Sequence, residues 1–461
     1  MCHCDWLWLL WCISVPGSVW GLAADNGRGT CQMMGKPVSG SIYQAGDVVI
    51  GGLFPIHVGA PLPEQEFKSI EANATCTIFH QRAYRWLQTM IFAVQEINRD
   101  PALLPNVTLG YLVADTCEAE GTTLGAALAM VTGQEASVGG TDCSLTPGVS
   151  SIIGDPRSSS SIVVAQTLGP FHFPMVSYFA TCACLSDTRK YPSFFRTVPS
   201  DAFQIRGMAM LLRRLGWVFV GLVSGDDDYG KFGVQLLLKE LQGSGVCFAY
   251  SEVIPKIHSQ RRLRQIVDTI RGSSANVVVT FTTETDVHAL LEEVVRQNVT
   301  DKQWIATEAW ITSAALSVPK FLPALAGTIG FALRKADIPG LGPFLTRLRP
   351  DGDYQKSDPF LKDFWEDMFG CSLGLDLKVN TSSMRQCSGS EVIGSENKFN
   401  INMDKVLWGG GSGDKLVDFL SYSDTMGIIL SIFSVSGTLL TAGAFVTFLY
   451  YRHTALVNEI E

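Results

Sequence analysis

Charge is scarce in this sequence, and the familiar catalytic signatures are missing. Lys, Arg, Asp and Glu make up 17% of 461 residues, and the net charge is −9 at pH 7. No basic stripe occurs, which argues against a nucleic-acid partner, because phosphate recognition rests on clustered Lys and Arg. There is no GxSxG, no HExxH and no P-loop, so the usual frames for a serine hydrolase, a zinc peptidase or a nucleotide hydrolase are absent. The 7 histidines are scattered without ligand spacing, and Cys182 and Cys184 stand as CxC, not as a CxxC redox pair. With no nucleophile–base pair in view, the expectation is a protein that is not an enzyme and has no cofactor.

What is present points outside the cell. The stretch "WLWLLWCISVPGSVWGLAA" is an apolar run ending in small residues, so residues 1–24 read as an export signal. Of the 12 cysteines, Cys2, Cys4 and Cys12 would leave with it. The remainder is odd in number, so at least one lacks a partner within the chain. Four N-x-S/T acceptors, at Asn73, Asn106, Asn298 and Asn380, suit an extracellular surface. Residues 426–451 carry no charge, which exceeds the roughly 20 apolar residues that span a bilayer. A single transmembrane helix is therefore expected over 424–451. Arg452 and His453 follow it, so 452–461 reads as a cytoplasmic tail below an extracellular N-terminus at the plasma membrane.

Between these ends the chain alternates strands and helices. Strand segments such as "DVVIGGLFPI", "WVFVGLVSG" and "NVVVTFTT" are apolar runs rather than strict alternations. That pattern suits parallel sheets covered on both faces, and the repeated βαβ unit makes the class α/β. The strands before residue 310 are too many for one sheet, so two lobes facing a cleft are expected. Ligands of such folds bind beyond the carboxyl ends of strands.

The strand ends carry a coherent set of groups. After "SSIIG" comes "DPRSSSS", where Ser158–Ser161 open a helix. Two readings stay open for them: a plain N-cap, or hydroxyls beside a helix N-terminus that binds an anion. Other strands are followed by Thr181, Asp201, Tyr229 and Glu308. Hydroxyls and a helix end for an anion, two carboxylates for a cation, and an aromatic face together suit a zwitterion such as an α-amino acid. Each residue alone also reads as a solvated loop residue.

The stretches "GDVVIGGLFPIH", "YRWLQTMIFAVQEIN", "SYFATCACLSD", "PSFFRTVPSD", "DDDYG" and "WIATEAW" resemble class C G-protein-coupled receptors. The similarity runs to the calcium-sensing-receptor-like, vomeronasal type-2 and fish olfactory members. It implies a bilobed Venus-flytrap ectodomain of periplasmic-binding-protein type I, followed by the transmembrane helix. Residues 25–200 would begin lobe 1, 201–335 would form lobe 2, 336–390 would be an incomplete return to lobe 1, and 391–423 would be a linker with a remnant of a cysteine-rich domain.

By the same resemblance, Ser158 and Thr181 hold a ligand carboxylate, while Asp201, Tyr229 and Glu308 hold its ammonium. Arg82 and Trp86 contact the ligand side chain, and Asp227 lies near a calcium position, with Ca2+ as a co-ligand. Cys76 pairs with Cys117 and Cys371 with Cys387. Cys143 lies in the loop that can link protomers in relatives, and Cys247, which in relatives pairs with a cysteine-rich domain, would lack its partner here. Implied partners are an α-amino acid, the membrane, a second class C receptor chain and, for a full-length form, a heterotrimeric G protein. The single span, the incomplete lobe 1 and a cysteine-rich remnant without its cysteines suggest a truncated form. The expected function is chemosensory amino-acid binding by lobe closure. A non-signalling decoy or dimer partner and an extracellular calcium sensor stand as alternatives.

Overall fold

The computed structural model describes residues 41–59, 76–133, 148–333, 336–350, 358–373, 385–389 and 391. The expected export signal, Asn73, Cys143, Asn380 and the span 424–451 lie outside these residues. Among the described residues no helix is long and apolar enough to cross a membrane.

In chain order the first elements are β1 (Ile42–Gln44), β2 (Val48–Phe54), β3 (His57–Gly59), β4 (Cys76–Phe79), α1 (Gln81–Arg99), β5 (Leu109–Asp115) and α2 (Glu120–Thr132). Then come β6 (Ile152–Ile153), α3 (Ser158–Leu168), β7 (Met175–Ser177) and β8 (Phe194–Arg196). They build a six-stranded sheet in the order β1-β5-β2-β6-β7-β8. It is parallel except for β1, which runs antiparallel to β5 at the edge.

A second group follows: α4 (Asp201–Arg214), β9 (Phe219–Gly225), α5 (Asp228–Glu240), β10 (Cys247–Ile254), α6 (Gln260–Gly272), β11 (Val277–Phe281), α7 (Glu284–Arg296), β12 (Gln303–Ala306), α8 (Leu322–Leu325) and β13 (Ile329–Gly330). Its five strands are all parallel, in the order β10-β9-β11-β12-β13. The chain then runs through α9 (Leu341–Thr346) and α10 (Leu361–Phe369), and closes the described part with the short β14 (Cys371–Ser372) and β15 (Arg385–Gln386).

The apolar strands are buried on both faces, as parallel sheets require. Along β5, Leu109, Tyr111 and Val113 pack towards α1 and α10, while Leu112 and Ala114 pack towards α2 and α3. In the second sheet, Val223 and Val278 face α6 and α7, whereas Leu222, Val279 and Phe281 face α4 and α5. α10 returns to the first sheet: Phe364 and Trp365 join the core of α1, and Asp358 accepts hydrogen bonds from Tyr84 Oη at 2.7 Å and Gln88 Nε2 at 2.6 Å.

Disulfides join Cys76 to Cys117 and Cys371 to Cys387, as the resemblance implies. A third disulfide, which the sequence reading did not assign, joins Cys182 to Cys184. Cys247 is exposed and unpaired among the described residues. Asn106 and Asn298 are exposed, at φ of 61° and 55°. The sequence reading also missed α2, because "EGTTLGAALAMVT" is small and weakly amphipathic and gives little 3.6-residue signal.

Candidate functional site

The loops leaving the carboxyl ends of both sheets converge on one cleft that is open to solvent. In each sheet the chain reverses direction of travel beside the first core strand. β2 lies between β5 and β6, and β9 between β10 and β11. A crevice at that switch point is the expected ligand position. Pro55 follows β2, Ser158 follows β6, Thr181 follows β7, Tyr229 follows β9, Glu284 follows β11 and Glu308 follows β12, and all six line the cleft.

The serine tract is the first turn of α3, not slack. All four serines are buried, and Arg157 occupies the N-cap position without a side-chain cap. Each hydroxyl ties the turn to a different neighbour. Ser158 Oγ accepts the Cys182 N–H at 3.2 Å, and Ser159 Oγ accepts the Asp228 N–H at 3.1 Å. Thr123 Oγ1 lies 3.4 Å from Ser160 Oγ, and Ser161 Oγ donates to the Asp155 carbonyl at 2.8 Å. Ser158 has used one acceptor site and keeps its proton for a ligand. Only glycine fits at 154, with φ +126° and a Cβ that would meet the Leu53 carbonyl at 2.4 Å.

The acidic end is assembled from both sheets. Glu308 Oε1 accepts from Thr181 Oγ1 at 3.0 Å and Tyr229 Oη at 3.2 Å. Asp201 opens α4 behind Thr181. Its N–H donates to the Thr181 carbonyl at 2.8 Å, and its Oδ1 accepts from Gln204 at 2.6 Å. Asp201 Oδ2 and Glu308 Oε2 are buried and have no hydrogen-bond partner. Burial, and then the neighbouring Glu308, push the Asp201 carboxyl up to about 8, and burial also raises Glu308. Two buried acids with an open oxygen each can accept hydrogen bonds from a cationic group once they are ionised.

Arg82 and Trp86 line the same cleft. The Arg82 guanidinium lies 5.2 Å from the Trp86 ring centroid and 4.8 Å from that of Phe179, and it bonds Glu284 at 2.9 Å and the Ala309 carbonyl at 2.8 Å. Asp227 is occupied locally. It caps α5 through the Gly230 N–H at 2.8 Å and faces Arg157 at 3.5 Å. All the expected residues line the cleft except Asp201, which sits beside it. Arg157, Phe179 and Glu284 were missed as site residues. Arg157 and Phe179 adjoin residues that the strand-end rule did select.

The family model described as the receptor family ligand binding region matches residues 85–437. The chain belongs to this family. It is 38% identical to the extracellular calcium-sensing receptor of Homo sapiens over 333 residues, covering 71% of this chain and 31% of that one. It is 34% identical to taste receptor type 1 member 1 of Homo sapiens, covering 65% and 36%, and 29% identical to metabotropic glutamate receptor 4 of Mus musculus, covering 86% and 43%. These relatives make it a class C G-protein-coupled receptor ectodomain. The chain spans about a third of the length of the calcium-sensing and taste relatives it matches.

Proposed function

We propose that the cleft binds an α-amino acid as its zwitterion and that binding favours closure of two lobes. One lobe comprises residues 25–200 with 336–390, and the other residues 201–335. The observation that carries the reading is the pair of unpartnered oxygens on buried Asp201 and Glu308, near the hydroxyls of Thr181 after β7 and Ser158 at the start of α3. An ammonium satisfies those oxygens and takes the face of Tyr229. On Glu308 it replaces Thr181, whose proton is then free to meet the ligand carboxylate together with Ser158 and the α3 N-terminus. Arg82 and Trp86 remain for the ligand side chain.

Because Thr181 and Glu308 come from opposite sheets, a ligand held by both favours the closed state by its differential affinity. Thr181→Ala should weaken binding of the responsive L-amino acid about tenfold in calorimetric titration of the chain, the scale of one charged hydrogen bond. An unchanged affinity would remove the assignment.

A second reading, an extracellular calcium sensor with Ca2+ as ligand or co-ligand, is favoured by the 38% identity to calcium-sensing receptors. Against it, the Asp227 carboxylate already faces Arg157. Closure driven by Ca2+ without any amino acid would establish it. Placement at the plasma membrane, a dimeric receptor partner, and G-protein coupling in a full-length form complete the proposal.

A further inference from the structure

The Cys182–Cys184 disulfide lies where the site is assembled, yet the reading above gives it no part. Its cysteines are two positions apart, against 41 and 16 for the other two bonds. The unfolded-state entropy that a cross-link removes grows with the logarithm of its loop, so this bond adds least to global stability. Its effect is local.

What it holds is the turn that leaves Thr181. Cys182 is fully buried in the core beneath α3, and its N–H is the group that meets Ser158 Oγ. The preceding residue donates to Glu308 through Thr181 Oγ1, and its carbonyl receives the Asp201 N–H. Arg196 of β8 grips the same turn from outside, donating to the Cys182 carbonyl at 2.9 Å and to Ser186 Oγ at 2.6 Å. A bond that fixes Cys182 against Cys184 therefore fixes two things at once: the direction in which Ser158 sends its proton, and the place of the Thr181 hydroxyl.

We infer that the Cys182–Cys184 bond is a positioning element for recognition of the ligand carboxylate, acting through Ser158 and Thr181. The inference rests on the amino-acid reading above. It is tested with the whole chain, titrating the parent, Cys184→Ala, Thr181→Ala and the double variant with each of the twenty common L-amino acids in turn. Cys184→Ala breaks the bond and leaves Cys182 in the core. It should weaken binding about tenfold while the melting temperature stays within a few degrees of the parent. In the Thr181→Ala background the same change should cost less than it does in the parent, because only the Ser158 contact is left to position.

An unchanged affinity in Cys184→Ala, or additive losses in the double variant, would overturn the inference while the parent's binding upholds the amino-acid reading. A parent that binds none of the twenty overturns both. If Cys184→Ala does not fold, Cys182→Ala/Cys184→Ala takes its place, and failure of that chain too would make the bond a requirement of folding and refute a positioning role.

Discussion

Asp201→Asn tests the acidic end of the cleft through its proton. In the ligand-free chain the Asp201 carboxyl titrates at about 8, because it is buried and faces Glu308. It must be ionised to hold an ammonium. The ionised fraction therefore falls steeply from pH 8 to pH 6, and amino-acid affinity of the parent should fall with it by about 10- to 100-fold. The asparagine offers no charge. At pH 8 it forfeits a charge-assisted hydrogen bond of about 1.5–3 kcal/mol, or about 10- to 150-fold in affinity. Towards pH 6 the two affinity curves should converge, leaving only the shallower slope from Glu308.

Without ligand the same proton should show in stability. The folded value lies above the unfolded 3.8, so the folded state keeps a proton that the unfolded state releases. Its contribution to stability is then fully present below about pH 4 and declines as pH rises towards 8, and Asp201→Asn should remove that contribution's pH dependence. Isothermal titration at pH 6, 7 and 8, in buffers of different ionisation enthalpy, reads both the affinity and the protons released on binding. A parent affinity that is flat from pH 6 to 8, or a variant within threefold of the parent at pH 8, would refute the reasoning.

Two further outcomes concern stability. His57 bridges Asp115 at 2.7 Å and Asp363 of α10 at 3.2 Å. Burial opposes its charge, but the two carboxylates win and raise it from 6.5 to about 9. Its contribution is therefore fully present below pH 6.5 and is lost as pH rises through 9. His57→Ala should cost about 2 kcal/mol at pH 6, discounted for solvent screening, and much less at pH 9.5, as read by chemical denaturation. For the disulfides, the separations of 41, 16 and 2 predict losses of about 4, about 3 and under about 2 kcal/mol when each pair is replaced by alanine. Melting temperatures in any other order would show that native-state strain, not loop closure, governs them.

The sequence determined the local chemistry. Apolar runs such as "WVFVGLVSG" suit doubly covered parallel strands, and the rule that ligands meet the carboxyl ends of strands selects Thr181, Tyr229 and Glu308 from the sequence. The serine tract was legible as a helix start. Its division of labour was not, because each hydroxyl answers to a neighbour distant in sequence: Cys182, Asp228, Thr123 or Asp155.

Tertiary structure alone decided which charges are free. Arg157 and Asp227 look like ligand groups in isolation, yet they face each other at 3.5 Å, as Arg82 and Glu284 do at 2.9 Å. Asp201 and Glu308, 107 residues apart by number, each keep an open buried oxygen. The CxC pair likewise became a bond only once the turn after β7 brought its sulfurs together. Pattern in a chain fixes which face of an element is buried. Pairing across a cleft depends on how two sheets meet, and no local period in the sequence records that.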